Sequence, residues 1–477
     1  NLPVIVTGDF NCTEGSEPYA TLTGGKDARP ALVDSFRAVH PQRQPDEASG
    51  HSFAGRQQGS RIDWILCSPH FKPVAAAIDR SQQDGRYPSD HYPVTATLEP
   101  AAAAVAPPRA EAPVPRPGPP PLIEAEALRD ARARGIAYLV ASQNPDGSWG
   151  GIRRTKALNV AAHVPGAHYA FTAATTALAI EALCHYPGHS AAADAAVDRA
   201  GEWLLGFLPR VKRVSNSQVY NNWAHAYSIH ALLALHVRAA GNPVRQEKLL
   251  QAVREQVRRL EAYEFLDGGW GYYNNNFSTA VPSGSTTCFT TATGLIALDA
   301  ARQAGVVAPT RLTDRAVDSI LRQRTPDGAF VYSLPHYKAP RRDINRPAGS
   351  LGRAPACNAA LRLWTGRVHV SDADIADWLD RLITRGEWLN MARKTPIPHE
   401  SYFKNSGYFC YYAYYYAGRC AELLDEEQIA PRRNHLIKAL LDQQEPDGCW
   451  WDYPLYDYHF AYGTAYALSA LARLAPP

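Results

Sequence analysis

A short turn motif returns at a regular spacing through the C-terminal three-quarters of the chain. It joins a glycine to an aromatic residue in PDGSW, DGGW, PDGAF and PDGCW, with the glycines at Gly147, Gly268, Gly328 and Gly448. These glycines are 121, 60 and 120 residues apart, and the stretches 207–210 and 386–388 fall at the two empty places. The spacing predicts six repeats of about 60 residues, which excludes most other ways of folding this part of the chain.

Each repeat contains a charged helix, the turn, a polar loop and a second helix that is nearly free of charge. Helices without charge are surrounded by protein, whereas helices with one charged face, such as 245–260, lie on the outside. The expected inner helices cover 169–184, 223–236, 287–301, 354–364, 408–423 and 462–474. Six outer and six inner helices of this length predict an all-α (α/α)6 toroid.

A proline-rich segment separates this region from the first part of the chain. The sequence of 101–121, AAAAVAPPRAEAPVPRPGPPP, has no aromatic residue and a proline every few positions. Proline removes backbone donors and favours extended conformations, so we expect a semi-rigid linker. The predicted organisation is a first domain over 1–100, a linker over 101–121 and the toroid over 122–477.

The first part has polar side chains at the ends of three predicted strands. Asp9 and Asn11 follow the apolar run at 2–7, Asp63 lies in the strand at 61–67, and Asp90 and His91 precede the strand at 93–98. Carboxylates can hold a divalent cation and orient an imidazole, the imidazole can take a proton from water, and an amide can contact phosphate oxygens. These residue types predict hydrolytic phosphoryl chemistry.

The order GDFN, RIDWIL and YPSDHYPV resembles the second half of the endonuclease/exonuclease/phosphatase superfamily of Mg²⁺-dependent phosphodiesterases. The resemblance implies that His91 is the general base or contacts the scissile phosphate, with Asp63 bonded to its other ring nitrogen. It implies that Asp90 is a ligand of Mg²⁺ or Mn²⁺, that Asp9 positions the attacking water, and that Asn11 contacts the phosphate.

The resemblance covers only 1–99, whereas the family's four-layer α/β sandwich needs roughly 250 residues. We therefore expect part of such a sandwich, lacking the half that supplies a further metal-binding Glu. The start at Asn1 instead of Met suggests a truncated domain, so we expect this chain to be weakly active or inactive and an intact parent to be active. His51, in GHSFAG, is either a substrate contact or a loop histidine.

The first turn belongs to a longer motif, RGxxYLxxxQxxxGxW at 134–149, which is similar to the Q-W motif of squalene-hopene and oxidosqualene cyclases. Weaker copies occur at 323–330 and 444–450. In that family the glutamine and the tryptophan join adjacent repeats. The resemblance over 122–477 therefore implies the toroid and carries no activity.

The catalytic motifs of toroid enzymes are missing from the sequence. It has neither the D-x-D-D acid of class II terpene cyclases nor the D-D-x-x-D motif of class I synthases. Gly463 stands where protein prenyltransferases have a zinc-binding histidine, so we expect no zinc site. The sequence identifies no cofactor for the toroid.

Aromatic residues on the inner helices are candidates for a pocket that binds an apolar or carbohydrate ligand. They are Trp223, Phe289, Tyr412 and Tyr415, and simple helix packing is the alternative. Asp457 and His459 are a candidate hydrogen-bonded pair at the rim. A basic loop that includes Arg342 and Arg353 is a candidate anion contact.

Composition gives little further guidance on partners. The 477 residues include 49 Lys and Arg against 46 Asp and Glu, and the formal charge of +3 indicates no global attraction to nucleic acid. No apolar run is long enough for a transmembrane segment, which predicts a soluble protein. A signal peptide would precede Asn1, so the compartment is undetermined and export is one alternative.

Three hypotheses for the function follow. The first is a metal-dependent phosphodiesterase or phosphatase, with a phosphate ester of unspecified class as substrate, fused to a toroid that binds a ligand or partner. The second is a non-catalytic binding or interaction protein built on the toroid. The third is a terpenoid cyclase with an unrecognised acid.

Overall fold

The computed structural model describes residues 3–24, 31–101, 116–156, 160, 162–276, 280–340, 342–399 and 402–477. Contacts between residues divide the chain into two units, Asn1–Pro113 and Val114–Pro477. Among the described helices, none is long and apolar enough to cross a membrane.

The first unit contains two small antiparallel sheets and two short helices. Its elements are β1 (Ile5–Asp9), α1 (Glu17–Thr23), β2 (Val33–Asp34), α2 (Ser35–Val39), β3 (Asp63–Cys67), β4 (Phe71–Ile78) and β5 (Val94–Pro100). One sheet has the order β1-β3-β2, and the other pairs β4 with β5. These elements are the part of an α/β fold that the structure describes for the first unit.

A buried arginine holds β3 in place beside the loop and the strand that precede it. The Arg61 guanidinium is inaccessible to solvent and forms ion pairs with Glu14, at 2.6 Å, and with Asp34. Its Nη1 also donates to the carbonyl of Asp63, which is the first residue of β3. A buried charge is tolerated only when it is paired, so these contacts fix where β3 begins.

The second unit consists of six helix pairs. The outer helices are α3 (Ala125–Ala141), α5 (Ala191–Phe207), α7 (Pro243–Ala262), α9 (Thr310–Gln323), α12 (Asp372–Arg385) and α15 (Glu426–Asp442). The inner helices are α4 (Gly166–Cys184), α6 (Asn221–Arg238), α8 (Cys288–Gln303), α11 (Ala354–Thr365), α14 (Cys410–Ala421) and α16 (His459–Leu474). Two short helices, α10 (Pro347–Ser350) and α13 (Glu387–Ala392), lie in the connections.

The inner helices form a closed ring. Each packs against the next one along the chain, and α16 packs back against α4. Nearly every residue of α8 is buried, whereas α7 buries one stripe, Leu249, Val253, Val257 and Leu260, and exposes its charged side chains. This arrangement confirms the predicted (α/α)6 toroid.

The recurring turn ties the two helices of a repeat together through its tryptophan. In the first repeat the indole Nε1 of Trp149 donates to the carbonyl of Leu139 on α3, at 2.7 Å, and its backbone N–H donates to Thr176 on α4, at 3.0 Å. Trp270 and Trp450 form the same two bonds in their own repeats. Both donors of a buried tryptophan are thus satisfied, which fixes the angle between the helices.

The glutamine of the motif joins neighbouring repeats at two places. Gln143 donates to the carbonyl of Ala196 on the next outer helix, at 2.8 Å. Gln444 donates to the carbonyl of Ala131 on α3, also at 2.8 Å, and so links the sixth repeat to the first. The side chain of Gln323 instead bonds within its own helix, to Ser319.

The last residues of the proline-rich segment contact the toroid. Arg116 forms an ion pair with Asp380 at 2.6 Å, and the carbonyls of Gly118 and Pro121 accept hydrogen bonds from His435 and Asn434 on α15. The region from 116 onward is therefore anchored on outer helices of the second unit. The domain boundaries at 100/101 and 121/122 stay a prediction.

A buried charge cluster lies among the C-terminal halves of three inner helices. Glu181 on α4 pairs with Arg473 on α16 at 2.6 Å and with Arg419 on α14 at 3.4 Å, and Tyr415 donates to it at 2.8 Å. Burial alone would raise the pKa of Glu181, but the charges of Arg473 and Arg419 outweigh burial and lower it. The cluster keeps one carboxylate ionised inside the ring and links three inner helices.

We predict that Gly448→Ala destabilises the toroid more than Gly241→Ala does. Both glycines have positive φ, but a Cβ at position 448 would lie 2.7 Å from the carbonyl oxygen of Arg134 on α3, and one at position 241 would meet no atom within 4 Å. Strained φ alone costs about 1 kcal/mol, and the backbone overlap adds roughly 1–3 kcal/mol. Urea denaturation measures the free energy of unfolding of both variants. Equal decreases in this free energy would show that the sixth turn does not need close contact with the first repeat.

We predict that Glu181→Gln lowers the free energy of unfolding by about 3 kcal/mol, because it removes the buried carboxylate nearest to the Arg473 guanidinium and leaves only the half-exposed Glu422 to offset its charge. Glu426→Gln, which breaks an exposed pair with Arg433, is the control and should have a much smaller effect. The lowered pKa of Glu181 stabilises the wild type above the unfolded value of 4.5, and this contribution is lost as the pH falls below it. If the free energies of unfolding of wild type and Glu181→Gln do not differ between pH 3 and 7, Glu181 does not contribute to stability as predicted.

Candidate functional site

In the first unit, strand pairing brings two carboxylates together. Asp9 ends β1 and lies directly opposite Asp63, the first residue of β3. His91 reaches the same place from the segment before β5, where it pairs with Gly50. One ligand atom from each of Asp9, Asp63 and His91 lies within 4.8 Å of the others. Three segments that are distant in sequence therefore form one acid and imidazole group.

The imidazole in this group is oriented by a carboxylate. Nδ1 of His91 donates to Oδ2 of Asp63 at 2.8 Å, so Nε2 is the nitrogen that can take a proton. The hydrogen bond to Asp63 raises the pKa of His91, and the negative charges of Asp63, Asp9 and Asp90 add to this. The His91 side chain is 28% exposed, so solvent reaches the site.

Two other predicted residues lie beside this group and not within it. Asn11 is exposed, and its backbone N–H donates to Oδ1 of Asp9 at 2.8 Å, which holds the turn after β1. Asp90 is also exposed, and its carbonyl accepts hydrogen bonds from the backbone of His51 and Ser52. The roles expected for Asn11 and Asp90 stay predictions.

His51 is packed into the unit below its loop. Its ring is 2% exposed and stacks on Tyr92 with the ring centroids 3.9 Å apart. Nδ1 accepts a hydrogen bond from the backbone of Gly55 at 3.3 Å. The ring thus supports the loop at 51–55, and its expected substrate contact is a prediction.

The donor set suits a hard cation through its oxygens. Mg²⁺ and Mn²⁺ prefer carboxylate ligands, which Asp9 and Asp63 supply, with Asp90 close enough for its charge to act on His91. Asp63 already accepts the hydrogen bond from His91, so Asp9 is the carboxylate of the group that is freer to bind a metal.

The second candidate site is a cavity of about 910 Å³ inside the toroid. Most of its wall is aromatic and comes from the N-terminal halves of inner helices and the loops before them. The aromatic lining residues are Phe171, Tyr220, Trp223, Tyr227, Tyr272, Tyr273, Phe289, Tyr332, Tyr408, Phe409, Tyr412, Tyr453, Tyr458, Tyr462 and Tyr466. A wall of this kind binds apolar groups through aromatic faces and cations through their π electrons.

Three of the predicted pocket residues, Trp223, Phe289 and Tyr412, line this cavity. Tyr412 is held by hydrogen bonds to the carbonyl of Phe289 and to Thr293 on α8, each at 3.0 Å. Tyr415 lies outside the wall, because helical geometry points it towards the buried cluster, where its hydroxyl donates to Glu181.

The expected pair of Asp457 and His459 does not form. Asp457 instead forms an ion pair with Arg153 at 3.1 Å, and Nδ1 of His459 is buried without a hydrogen-bond partner. Burial lowers the pKa of His459 to about 4, and its ring packs edge-on against Trp451. Neither residue lines the cavity, since one faces outward and the other faces the turn.

The mouth of the cavity is polar, and most of its residues were missed by the sequence analysis. They are His336, Arg342, Asp343, His399 and Lys404. Neither Arg342 nor Lys404 forms an ion pair within the parts of the chain that the structure describes. Arg353 of the same basic loop is instead fully buried and donates to the carbonyls of Phe330 and Gly349.

A chain of hydrogen bonds runs along the wall to the mouth. The hydroxyls of Tyr272, Tyr332 and Tyr408 bond to one another in that order, and Tyr408 donates to Nε2 of His399 at 3.1 Å. Nδ1 of His399 in turn donates to the carbonyl of Lys404 at 2.9 Å. Burial lowers the pKa of His399, so its ring is neutral near pH 7 and can accept the hydrogen bond from Tyr408.

The missed residues share a signal that the sequence does carry. His336, Arg342 and Asp343 lie between a turn motif and the inner helix that follows it, and His399 and Lys404 occupy the same place in the next repeat. Loops at this position precede the inner helices, whose N-terminal halves form the cavity. A search of each repeat for polar residues between the turn and the second helix would have found them.

Comparisons with known proteins agree with both resemblances. Residues 122–334 match the family model of the squalene-hopene cyclase C-terminal domain, and residues 1–91 match the endonuclease/exonuclease/phosphatase family. A drimenyl diphosphate synthase from Streptantibioticus cattleyicolor is 29% identical over 217 residues, which are 45% of this chain and 34% of that protein. The chain thus matches about a third of the length of this relative.

Solved structures also align with part of this chain. The type II terpene cyclase MstE from Scytonema aligns with a TM-score of 0.42 and 14% identity, over 74% of this chain and 99% of that chain. Cellobiose 2-epimerase from Spirochaeta thermophila aligns with a TM-score of 0.47 and 15% identity, over the same shares. By its sequence matches, the chain joins a segment similar to the endonuclease/exonuclease/phosphatase family to one similar to the squalene-hopene cyclase C-terminal domain.

Proposed function

We propose that the toroid binds an isoprenoid chain in its aromatic cavity, with an anionic head group at the mouth. The observation that carries this proposal is the division of the cavity into an aromatic interior and a polar mouth. An apolar chain gains free energy when it leaves water for such an interior, in proportion to the area that it buries. A carbohydrate would need many polar partners along its length, and here the charged groups are concentrated at one end.

The size of the cavity and the name of the relative support this proposal. The volume of about 910 Å³ is near the upper end of the roughly 300–1,000 Å³ found for small-molecule pockets, which leaves room for a long chain. The relative named drimenyl diphosphate synthase is named for a terpenoid that carries a diphosphate. Arg342 and Lys404, which lack ion-pair partners among the described residues, would offset the charge of such a head group.

Cyclisation of the bound chain is the alternative with less support. A class II cyclase protonates an alkene in its interior, and among the described lining residues the one carboxylate is Asp343. Asp343 is exposed at the mouth, so it is poorly placed for that step. The cavity is therefore better suited to binding an isoprenoid ligand than to starting its cyclisation by proton transfer.

We predict that geranylgeranyl diphosphate binds more tightly than geranylgeraniol, and that the double variant Arg342→Ala/Lys404→Ala removes most of this difference. Each charge-assisted contact is worth about 1.5–3 kcal/mol, so the loss should be at least tenfold. Isothermal titration calorimetry measures both affinities. Lys338→Ala, which changes a charged side chain outside the lining, is the control, and failure of both ligands to bind the wild type would contradict the proposal.

We infer a second activity, hydrolysis of a phosphoric ester at the Asp9, Asp63 and His91 group. The observation that favours it is the 2.8 Å hydrogen bond that orients His91. Nε2 of His91 would take a proton from water, Asp63 would stabilise the imidazolium, and Asp9 would position the water. Asp9, with Asp90, would hold Mg²⁺ or Mn²⁺, and the bound ion would offset negative charge on the phosphoryl group.

We predict that His91→Gln lowers phosphate release from p-nitrophenyl phosphate by at least about 100-fold, which is the usual contribution of a general base. Glu99→Gln on the exposed edge of β5 is the control and should retain the activity of the wild type. A variant at position 91 that keeps full activity would contradict the assignment. The assay uses the natural protein with any sequence that flanks residues 1–477.

A further inference from the structure

We propose that the ester cleaved at the Asp9, Asp63 and His91 group is the phosphate of an isoprenoid alcohol, so that both units act on the same class of molecule. This inference rests on the proposed function of the toroid. Three properties of the first unit and of the chain support it, namely the charge of the unit, an exposed aromatic side chain beside the group, and the covalent link to the toroid.

The charge of the first unit disfavours a nucleic acid as the substrate. Residues 1–100 contain nine Lys and Arg against twelve Asp and Glu, a net charge of −3. Three of the nine cations, Arg37, Arg43 and Arg61, are paired with the single carboxylate of Glu14. Proteins that bind nucleic acid present a basic surface to the phosphate backbone, because neutralisation of that backbone supplies most of the affinity. A substrate with one phosphoryl group makes no such demand.

An exposed phenylalanine lies in the loop that is bonded to the segment of His91. The backbone N–H groups of His51 and Ser52 donate to the carbonyl of Asp90, at 2.8 and 2.9 Å, so the loop at 51–55 is attached to the segment that carries His91. The next residue in this loop, Phe53, is 61% exposed. An exposed ring at the edge of a polar site offers an apolar surface to the alcohol part of a substrate.

The backbone of this loop is strained at Ser52 and Phe53. Ser52 and Phe53 have φ values of 49° and 60°, in the left-handed region that residues with a Cβ rarely adopt. A bulky residue persists in this conformation only when its surroundings fix it, and strain of this kind concentrates at binding sites. Here the buried ring of His51, stacked on Tyr92, fixes the base of the loop. The loop therefore holds Phe53 in one conformation, and its backbone is bonded to the segment that carries His91.

The reaction that follows consumes one water for each ester. The water oxygen attacks phosphorus while Nε2 of His91 takes one of its protons, and the bond between phosphorus and the isoprenoid oxygen breaks. The leaving oxygen takes the proton back from His91, and the products are the free alcohol and inorganic phosphate. Because both units belong to one chain, the binding of an isoprenoid phosphate and its hydrolysis would be supplied in equal molar amounts. The substrate would be supplied by a reaction that forms an isoprenoid phosphate.

The experiment compares three substrates with the natural full-length protein in buffer that contains MgCl₂. Phosphate release is measured from geranylgeranyl phosphate, from glycerol 3-phosphate and from a 5′-phosphorylated oligonucleotide. We expect kcat/KM for geranylgeranyl phosphate to exceed the other two values by at least about tenfold, which is the discrimination that a hydrophobic contact provides. A preference for the oligonucleotide or for glycerol 3-phosphate would overturn the inference.

Variants separate the role of Phe53 from a general loss of folding. Phe53→Ala should lower the ratio of kcat/KM between geranylgeranyl phosphate and glycerol 3-phosphate by about fivefold or more. Val74→Ala changes another exposed apolar residue of the first unit and is the control that should leave this ratio unchanged. An unchanged ratio in Phe53→Ala would show that the ring does not contact the substrate.

Binding and hydrolysis are measured separately, so that the two proposals fail in different ways. If geranylgeranyl phosphate binds to the toroid but is cleaved no better than glycerol 3-phosphate, this inference is wrong and the proposed function of the toroid stands. If it is cleaved preferentially but calorimetry shows no binding that depends on Arg342 and Lys404, the shared class of molecule is wrong. Weaker binding of geranylgeranyl phosphate to Arg342→Ala/Lys404→Ala in calorimetry, together with retained cleavage of glycerol 3-phosphate, confirms that two separate sites are involved.

Discussion

The tryptophan in the recurring turn is the contact on which the rest of the toroid depends. Its indole bonds the outer helix of a repeat and its backbone bonds the inner helix, and this is repeated at Trp149, Trp270 and Trp450. Each of these turns also leaves its glycine against the backbone of the next outer helix. One short motif therefore fixes the angle within a repeat and the distance between repeats. The ring of six inner helices, three of them held by this turn, leaves a cavity at its centre.

The inner helices are divided along their length into layers with different chemistry. Their N-terminal halves carry the aromatic side chains of the cavity, and their C-terminal halves carry the cluster around Glu181. Tyr415 and Tyr466, whose rings are 5.0 Å apart, lie where these two layers meet. An ionised carboxylate is tolerable there because Arg473 and Arg419 compensate its charge. The polar cluster joins the C-terminal halves of three inner helices. The cavity between their N-terminal halves can therefore be lined by aromatic side chains.

Charge pairing also shapes the first unit, with a different result. The buried Arg61 fixes the start of β3 and so brings Asp63 opposite Asp9. His91 then needs only one contact, with Asp63, to be oriented towards the exposed side of the sheet. The structural charges are buried and paired, whereas the charges of the candidate site are accessible to water. This difference separates residues that build the unit from residues that can act on a substrate.

The sequence by itself determined the repeat length and the (α/α)6 toroid, because these follow from local patterns and from spacing along the chain. It predicted one polar site from Asp9, Asn11, Asp63, Asp90 and His91, and the structure brings Asp9, Asp63 and His91 together within that set. It also indicated Trp223, Phe289 and Tyr412 as pocket residues, since charge-free aromatic helices must face inward. Only the tertiary structure decided that Tyr415 bonds Glu181, that Asp457 pairs with Arg153, and that Arg342, His399 and Lys404 meet at one mouth. These contacts depend on the directions of side chains and on the packing of repeats that are far apart in sequence. The spacing of residues along the chain does not determine either of them.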